Sequence, residues 1–449
     1  MKIVFIIVAI LVAVICVLLV LLQHYYDNYN TLKQTTYTKP YVPVFDDMIE
    51  RNNIDEKLHN QEPDILKSFR GTVQAAVSTI TEPPKMFSKI DNYLVTDSEV
   101  QHLLQAALGY KLSGKTDKAM RLFEHAAIIA PQNPDVLNRY GEFIEHMHND
   151  FIVADELYSK ALMYSPDHKA ALINRKRTAH VVDKLDLEIF KIIDEKRDLL
   201  KMKQKSSPNY DIMKLHAYYL HIYHTVGIEG NTLSLDQLIS ILETGKAVQG
   251  KSIIEQNEIL GLELAMKYVK LLTRFQAITV KEILGIHRRI LGHADPVSSG
   301  TFRDKQVFVG KHIPPSPDDL PGLMESYVEW LNSEEAQSMH PVRYAALAHY
   351  KLVDIHPFAD GNGRTSRLIM NLILLRAGYP PVLVFKQFRE KYYQNLNLAN
   401  EGDVRPFVRF IAHCTDHTLD MYLLGTEHNS RITHLKSATI EIEEDNRNL

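Results

Sequence analysis

Residues 356 to 367 read His356-Pro357-Phe358-Ala359-Asp360-Gly361-Asn362-Gly363-Arg364-Thr365-Ser366-Arg367, which gathers a base, a carboxylate, glycines and arginines in one short run. Together they could handle a nucleotide phosphate. Gly361 and Gly363 let backbone approach an anion closely, and Arg364 to Ala377 reads as a helix whose free N–H groups and dipole would face that anion. Gly378 and Pro380-Pro381 stop that helix. Arg364 and Arg367 are three apart, on one helical face, where both can grip phosphate oxygens. Asp360 is a lone carboxylate, enough for Mg²⁺ (or Mn²⁺) held mainly by nucleotide phosphates and water. His356 alone has a pKa suited to moving a proton near neutrality.

This string resembles the Fic motif, HPFxDGNGRxxR, with every fixed position matched. Fic domains transfer a nucleotide monophosphate, most often AMP from ATP, to a hydroxyl on another protein. The resemblance implies that His356 deprotonates the target hydroxyl, that Asp360 holds the metal, and that Gly361, Asn362, Gly363, Arg364 and Arg367 bind the phosphates. Other Fic proteins move UMP, phosphocholine or phosphate, so UTP or CDP-choline stays open as donor. A docking protein with a silenced Fic domain is the rival of another class, and the intact His356, Asp360 and both arginines speak against it.

Upstream, His224-Thr225-Val226-Gly227-Ile228-Glu229-Gly230-Asn231-Thr232-Leu233 follows an aromatic, histidine-bearing helical run from Leu215. It resembles the inhibitory helix of Fic proteins that carry their own brake, which implies that Glu229 pairs with Arg367 and denies that guanidinium to ATP. The same carboxylate could orient a water for removal of AMP from a modified target, with protonated His356 as acid. Gln306 to Ile313 has β-formers and a glycine, predicting a short hairpin. By resemblance it is a flap over the site, where Val309, Gly310, Lys311 and His312 meet nucleotide and target. Lys391-Tyr392-Tyr393 and Asn400 resemble the adenine pocket, Tyr392 and Tyr393 to stack and Asn400 to read the base edge.

The elements that must position these groups predict a mainly α protein of 449 residues: a transmembrane helix, two helical hairpins that resemble tetratricopeptide repeats, a linker helix and an α-helical Fic domain with a short β-hairpin flap. Residues 1–2 are read as cytosolic. Ile3 to Leu22 is an unbroken apolar stretch that at about 1.5 Å per residue spans a bilayer. Residues 23–97 are a stalk, with Pro40, Pro43 and a helix from Ile65 to Thr79, and 98–167 hold the repeats. A linker helix follows at 168–207, then the Fic domain with its inhibitory helix at 208–425 and a loosely ordered polar tail at 426–449. The repeats show as Leu103/Leu137, Ala107/Gly141 and Tyr110/Ile144, then Ala119/Ala154, Phe123/Tyr158, Ala126/Ala161 and Pro131/Pro166. Small residues recur where helices of a hairpin touch, and proline ends each unit. These repeats need a neighbour to stack on, and Lys169 to Lys203, with Leu172, Val182, Leu185, Ile189, Ile192 and Ile193 near helical spacing, supplies one.

A net charge of −4 gives no electrostatic reason to expect nucleic acid. Cys16 and Cys414 are the two cysteines, one inside the apolar stretch, so cysteine usage does not report the compartment. Lys2 and the terminal amine place the N-terminus in the cytosol by the positive-inside rule. The whole arrangement resembles the glutamate-braked Fic proteins of the metazoan endoplasmic reticulum. That resemblance implies a single-pass membrane protein with a lumenal catalytic domain, a homodimer, acting on the chaperone BiP as protein substrate.

Overall fold

The computed structural model describes residues 97–445 apart from 311. The expected anchor at 3–22 and stalk at 23–97 lie outside them but for residue 97, as does Lys311 of the expected flap. The localisation is corrected: among the described residues no helix is long and apolar enough to cross a membrane. The longest helices are studded with charge, as in the linker run KRTAHVVDKLDLEIFKIIDEKRD, so the endoplasmic-reticulum membrane assignment is withdrawn.

Among the described residues four helices come first: α1 (Asp97–Leu112), α2 (Thr116–Ile129), α3 (Pro134–His148) and α4 (Phe151–Tyr164). Gly114, at φ 72°, turns the chain between α1 and α2. The Asn133 side chain accepts from Asp135 N and Val136 N to start α3, and Asp150 caps α4. Most residues paired in the repeat face inward: Ala107, Ala119, Phe123, Ala126, Ala154, Tyr158 and Ala161 are all fully buried, while Pro131 and Pro166 are exposed. Gly141 shows why a small residue is required there, since a Cβ on it would lie 2.5 Å from the Tyr158 ring.

One unbroken 38-residue helix, α5 (Lys169–Ser206), packs on α4. Its buried face matches the apolar spacing only in part. Leu172, Leu185 and Ile192 are exposed, while Ala171, Asn174, Thr178, Val182, Phe190, Ile193 and Leu200 face inward. The inward polar groups are paired: Asn174 Nδ2 donates to Asn138 Oδ1 at 3.0 Å and Thr178 Oγ1 to Asp155 Oδ1 at 2.7 Å. Hydrophobic spacing is blind to a face built partly from hydrogen bonds.

The remaining helices are α6 (Tyr210–Ile228), α7 (Leu235–Thr244), α8 (Ile253–Leu272), α9 (Val280–Leu291), α10 (Leu320–Leu331), α11 (Glu334–Gln337), α12 (Pro341–Ile355), α13 (Asn362–Arg376), α14 (Arg389–Asn400) and α15 (Arg405–Asp445). The last continues as helix through the segment expected to be a loose tail. α13, which begins inside the phosphate-handling string, is buried at every position from Arg364 to Leu374 and packs against α8, α9 and α12. Its surroundings fix it in place on all sides. α15 reaches back to α4 and α5: Arg405 Nη1 meets Asp155 Oδ2 at 2.7 Å, and Arg409 Nε meets Asp186 Oδ1 at 2.8 Å.

The expected β-hairpin is reduced to one isolated bridge, Val309 to His312, closed by paired backbone bonds of 3.0 Å, with no strand among the described residues. Gly310 at φ 62° makes the turn. Pro314 and Pro315 have no N–H to extend the ladder, so pairing stops there.

Candidate active site

Three helix ends meet at the site. His356 follows α12 directly as its cap, in the left-handed region at φ 49°, with its N–H bonded to Leu352 O at 3.0 Å. Its Nδ1 lies 3.2 Å from Val353 O. A carbonyl only accepts, so Nδ1 carries the proton and Nε2 keeps its lone pair. Burial holds the His356 pKa below the ordinary imidazole value, partly countered by the Val353 carbonyl, which keeps the ring neutral and basic near neutrality.

The turn after His356 is stapled from within. Asn362 Oδ1 accepts from Phe358 N at 3.0 Å and Nδ2 donates to Phe358 O at 2.8 Å, in a side chain 3% exposed. Expected as a phosphate ligand, the Asn362 amide instead spends itself on the loop backbone. Gly361, at φ 78°, starts α13. Asp360 accepts from Gly361 N at 2.6 Å through Oδ1 and from Arg364 Nη2 at 2.8 Å through Oδ2. Its side chain is 69% exposed, so a carboxylate edge faces solvent, which fits a single protein ligand for a nucleotide-bound Mg²⁺. No group of three or more potential metal ligands exists among the described residues.

The two arginines of the string are both buried and each has a carboxylate. Arg364 also meets Glu258 Oε1, at 3.1 Å. Arg367, 1% exposed, donates from Nη2 to Glu229 Oε1 at 2.5 Å and to Thr225 O at 3.1 Å, and from Nη1 to Tyr392 Oη at 3.3 Å. Burial opposes its charge, but Glu229 and Tyr392 hold the guanidinium above its ordinary pKa. Glu229 is the residue that ends α6, and a Cβ on Gly363 would lie 2.6 Å from its Oε1. Only glycine at 363 leaves room for this pair.

The expected adenine residues are spread differently. Tyr392 is 1% exposed, its ring packed near Phe407 and Phe410 and its hydroxyl 3.0 Å from His349 Nε2. It supports Arg367 and offers no open face for a base, because α14 turns it into the core. Tyr393 is half-buried and stacks under Arg389 at 5.1 Å. Asn400 Oδ1 is buried without a hydrogen-bond partner. In the flap, His312 Nε2 lies 3.1 Å from Asp354 O, tying the turn to the end of α12.

Two residues that sequence reasoning passed over hold this loop. His287 accepts from Gly300 N through Nδ1 at 2.9 Å, so its Nε2 carries the proton and donates to Asp360 O at 2.9 Å. Burial lowers its pKa to about 4, which keeps that neutral tautomer. Arg303, 5% exposed, spends its guanidinium on carbonyls: Nε on His356 at 2.8 Å, Nη1 on Lys305 at 2.9 Å and Nη2 on Pro315 at 2.6 Å. His287 reads as a lone histidine on an apolar face and Arg303 as a loop cation, and nothing local marks either.

Comparison with known proteins fits this geometry. A profile of the Fic/DOC family matches residues 277–374. The chain is 56% identical over 340 residues to a protein named Protein adenylyltransferase Fic from Culex quinquefasciatus, covering 75% of this chain and 67% of that one. It is 58% identical over 324 residues to the protein of that name from Drosophila melanogaster, covering 72% of this chain and 66% of that one. A solved structure of C. elegans Fic-1 superposes with a TM-score of 0.67 at 39% identity, over 73% of this chain and 98% of that one. With insect relatives this similar and a worm structure matched along nearly its whole length, the chain belongs to the Fic/DOC family.

Proposed function

We propose that this Fic protein transfers AMP from ATP to a Ser or Thr hydroxyl of a protein substrate, BiP being the candidate, and that Glu229 restrains the reaction. The observation that carries the reading is the His356 ring, whose Nδ1 is committed to Val353 O and whose Nε2 lone pair is left as a base. The target oxygen forms a bond to the α-phosphorus as the bond to pyrophosphate breaks, and the hydroxyl proton goes to His356 Nε2. Arg364 and Arg367 balance the phosphate charge, and the N–H groups at the start of α13 face the same anion. A divalent cation on Asp360 would supply further charge neutralisation. The names of the insect relatives support AMP as the transferred group.

Glu229 and ATP compete for Arg367, which makes the resting enzyme slow. The Glu229 side chain remains 25% exposed, which supports its second use, orienting a water for hydrolysis of an AMP-modified target. The helices α1 to α4 are read as two tetratricopeptide hairpins that dock the substrate, and 208–425 as the catalytic domain.

Labelled ATP, UTP, GTP and CDP-choline, each incubated with the Glu229→Gly variant and BiP, test the donor. Label is expected from ATP alone; label from UTP in its place would refute AMP transfer. Glu229→Gly should raise transfer at least about tenfold, the worth of one charged hydrogen bond, and abolish AMP removal. His356→Ala should lose both activities.

A further inference from the structure

Glu229 occupies an awkward place. It ends α6, where the helix dipole presents partial negative charge and the last carbonyls lack partners within the helix. A carboxylate there is repelled by its own helix. Arg367 offsets this from one side through Glu229 Oε1 and Thr225 O, yet neither contact fixes the last peptide of the helix.

The segment leading into α14 does. Lys386 N donates to His224 Nδ1 at 3.3 Å, and Lys386 Nζ to Tyr223 Oη at 2.7 Å. The Lys386 stem lies against Gly227 so closely that a Cβ there would be 2.8 Å from Cδ. Arg389 Nε then donates to Ile228 O at 2.6 Å, the carbonyl of the peptide that joins Ile228 to Glu229. This contact both satisfies an orphan carbonyl and brings positive charge to the negative end of α6. Arg389 is held for the task by Tyr393, whose ring lies 5.1 Å from the guanidinium.

We propose that Arg389 is a positioning residue that holds the Glu229 end of α6 against Arg367 and so keeps the brake closed. The inference rests on the reading of Glu229 as the brake. Arg389 touches the brake's backbone from an exposed position, so its removal leaves the core intact. Without it the helix end loses a charge-assisted bond and its dipole partner, Glu229 spends less time on Arg367, and ATP finds that guanidinium more often.

The test compares Arg389→Ala, Arg389→Lys, Glu229→Gly and the double variant Glu229→Gly/Arg389→Ala, reading Kd for ATP with Mg²⁺ and AMP transfer to BiP. Arg389→Ala should tighten ATP binding and raise transfer roughly five- to tenfold, less than Glu229→Gly does, and Arg389→Lys should restore most of the restraint. Gain of activity is a change that structural damage does not produce. The double variant should match Glu229→Gly alone, because Arg389 acts only through Glu229. If Glu229→Gly raises transfer while Arg389→Ala leaves it unchanged or lowers it, Arg389 does not hold the brake. A further gain in the double variant would likewise overturn the proposal. If Glu229→Gly itself changes neither ATP binding nor transfer, the brake reading falls, and this inference with it.

Discussion

Glu229 lies at a seam between opposite helix poles, at the negative end of α6 and against Gly363 near the positive end of α13. At this scale the loop chemistry depends as much on the groups that hold it as on those that react. Asn362→Ala should leave the buried N–H and C=O of Phe358 unpaired and cost about 2–4 kcal/mol by urea denaturation, with loss of AMP transfer. Asn362→Asp, which keeps the acceptor for Phe358 N, should lose less. His356, Asp360, Arg364 and Arg367 could be read as one candidate site because they lie in one contiguous string, and the structure sets Glu229 on Arg367. Asn362 and Tyr392 were assigned to ATP because a side chain's partner is set by the fold, and their partners Phe358 and His349 come from the loop interior and from α12. His287 and Arg303 were missed for the same reason: each acts on the loop from another part of the chain.

At the scale of elements, the paired hairpins were legible because α-helices must alternate small and large residues to pack, and chain order preserves that alternation. Gly141→Ala should destabilise α1 to α4 by about 1–3 kcal/mol in chemical denaturation, since the Tyr158 ring is pinned by its bond to Glu145 at 2.7 Å and cannot yield. ATP affinity should stay unchanged, the site being elsewhere. The inward face of α5 was legible only in part, at Val182 and Ile193, because Asn174 and Thr178 are buried through hydrogen bonds that apolar spacing ignores. The flap failed as a hairpin because its β-formers are followed at once by Pro314 and Pro315, which end the ladder after a single bridge. Local propensity counted the residues that favour a strand and underweighted those that forbid its continuation.

For the whole molecule, buried histidines set the response to acid. Burial lowers His221 to about 4, His224 to about 3 and His287 to about 4, with Arg367 and Lys386 adding to the first and second shifts. The unfolded chain takes up these protons near pH 6.5 and the folded chain only near pH 3–4. Their stability is therefore fully present above about pH 6.5 and is lost progressively as pH falls toward the folded values, of order 2 kcal/mol per histidine at pH 5. Thermal unfolding followed by circular dichroism should show Tm falling by several degrees from pH 7 to pH 5. A Tm that holds steady across that range would show these histidines to be protonated in the fold. Composition announced the histidines, but their burial follows from helix packing, as does the tie of α15 to α4 and α5 through Arg405 and Arg409.

The Arg367 guanidinium is 1% exposed while Glu229 holds it. To let go of Glu229 with nothing in exchange would strand a cation in a dry interior, a state costlier than either partnered one. The site therefore has no resting vacancy to be filled. On the proposed reading of Glu229 as a brake, it trades one anion for another, and nucleotide concentration itself becomes part of the switch.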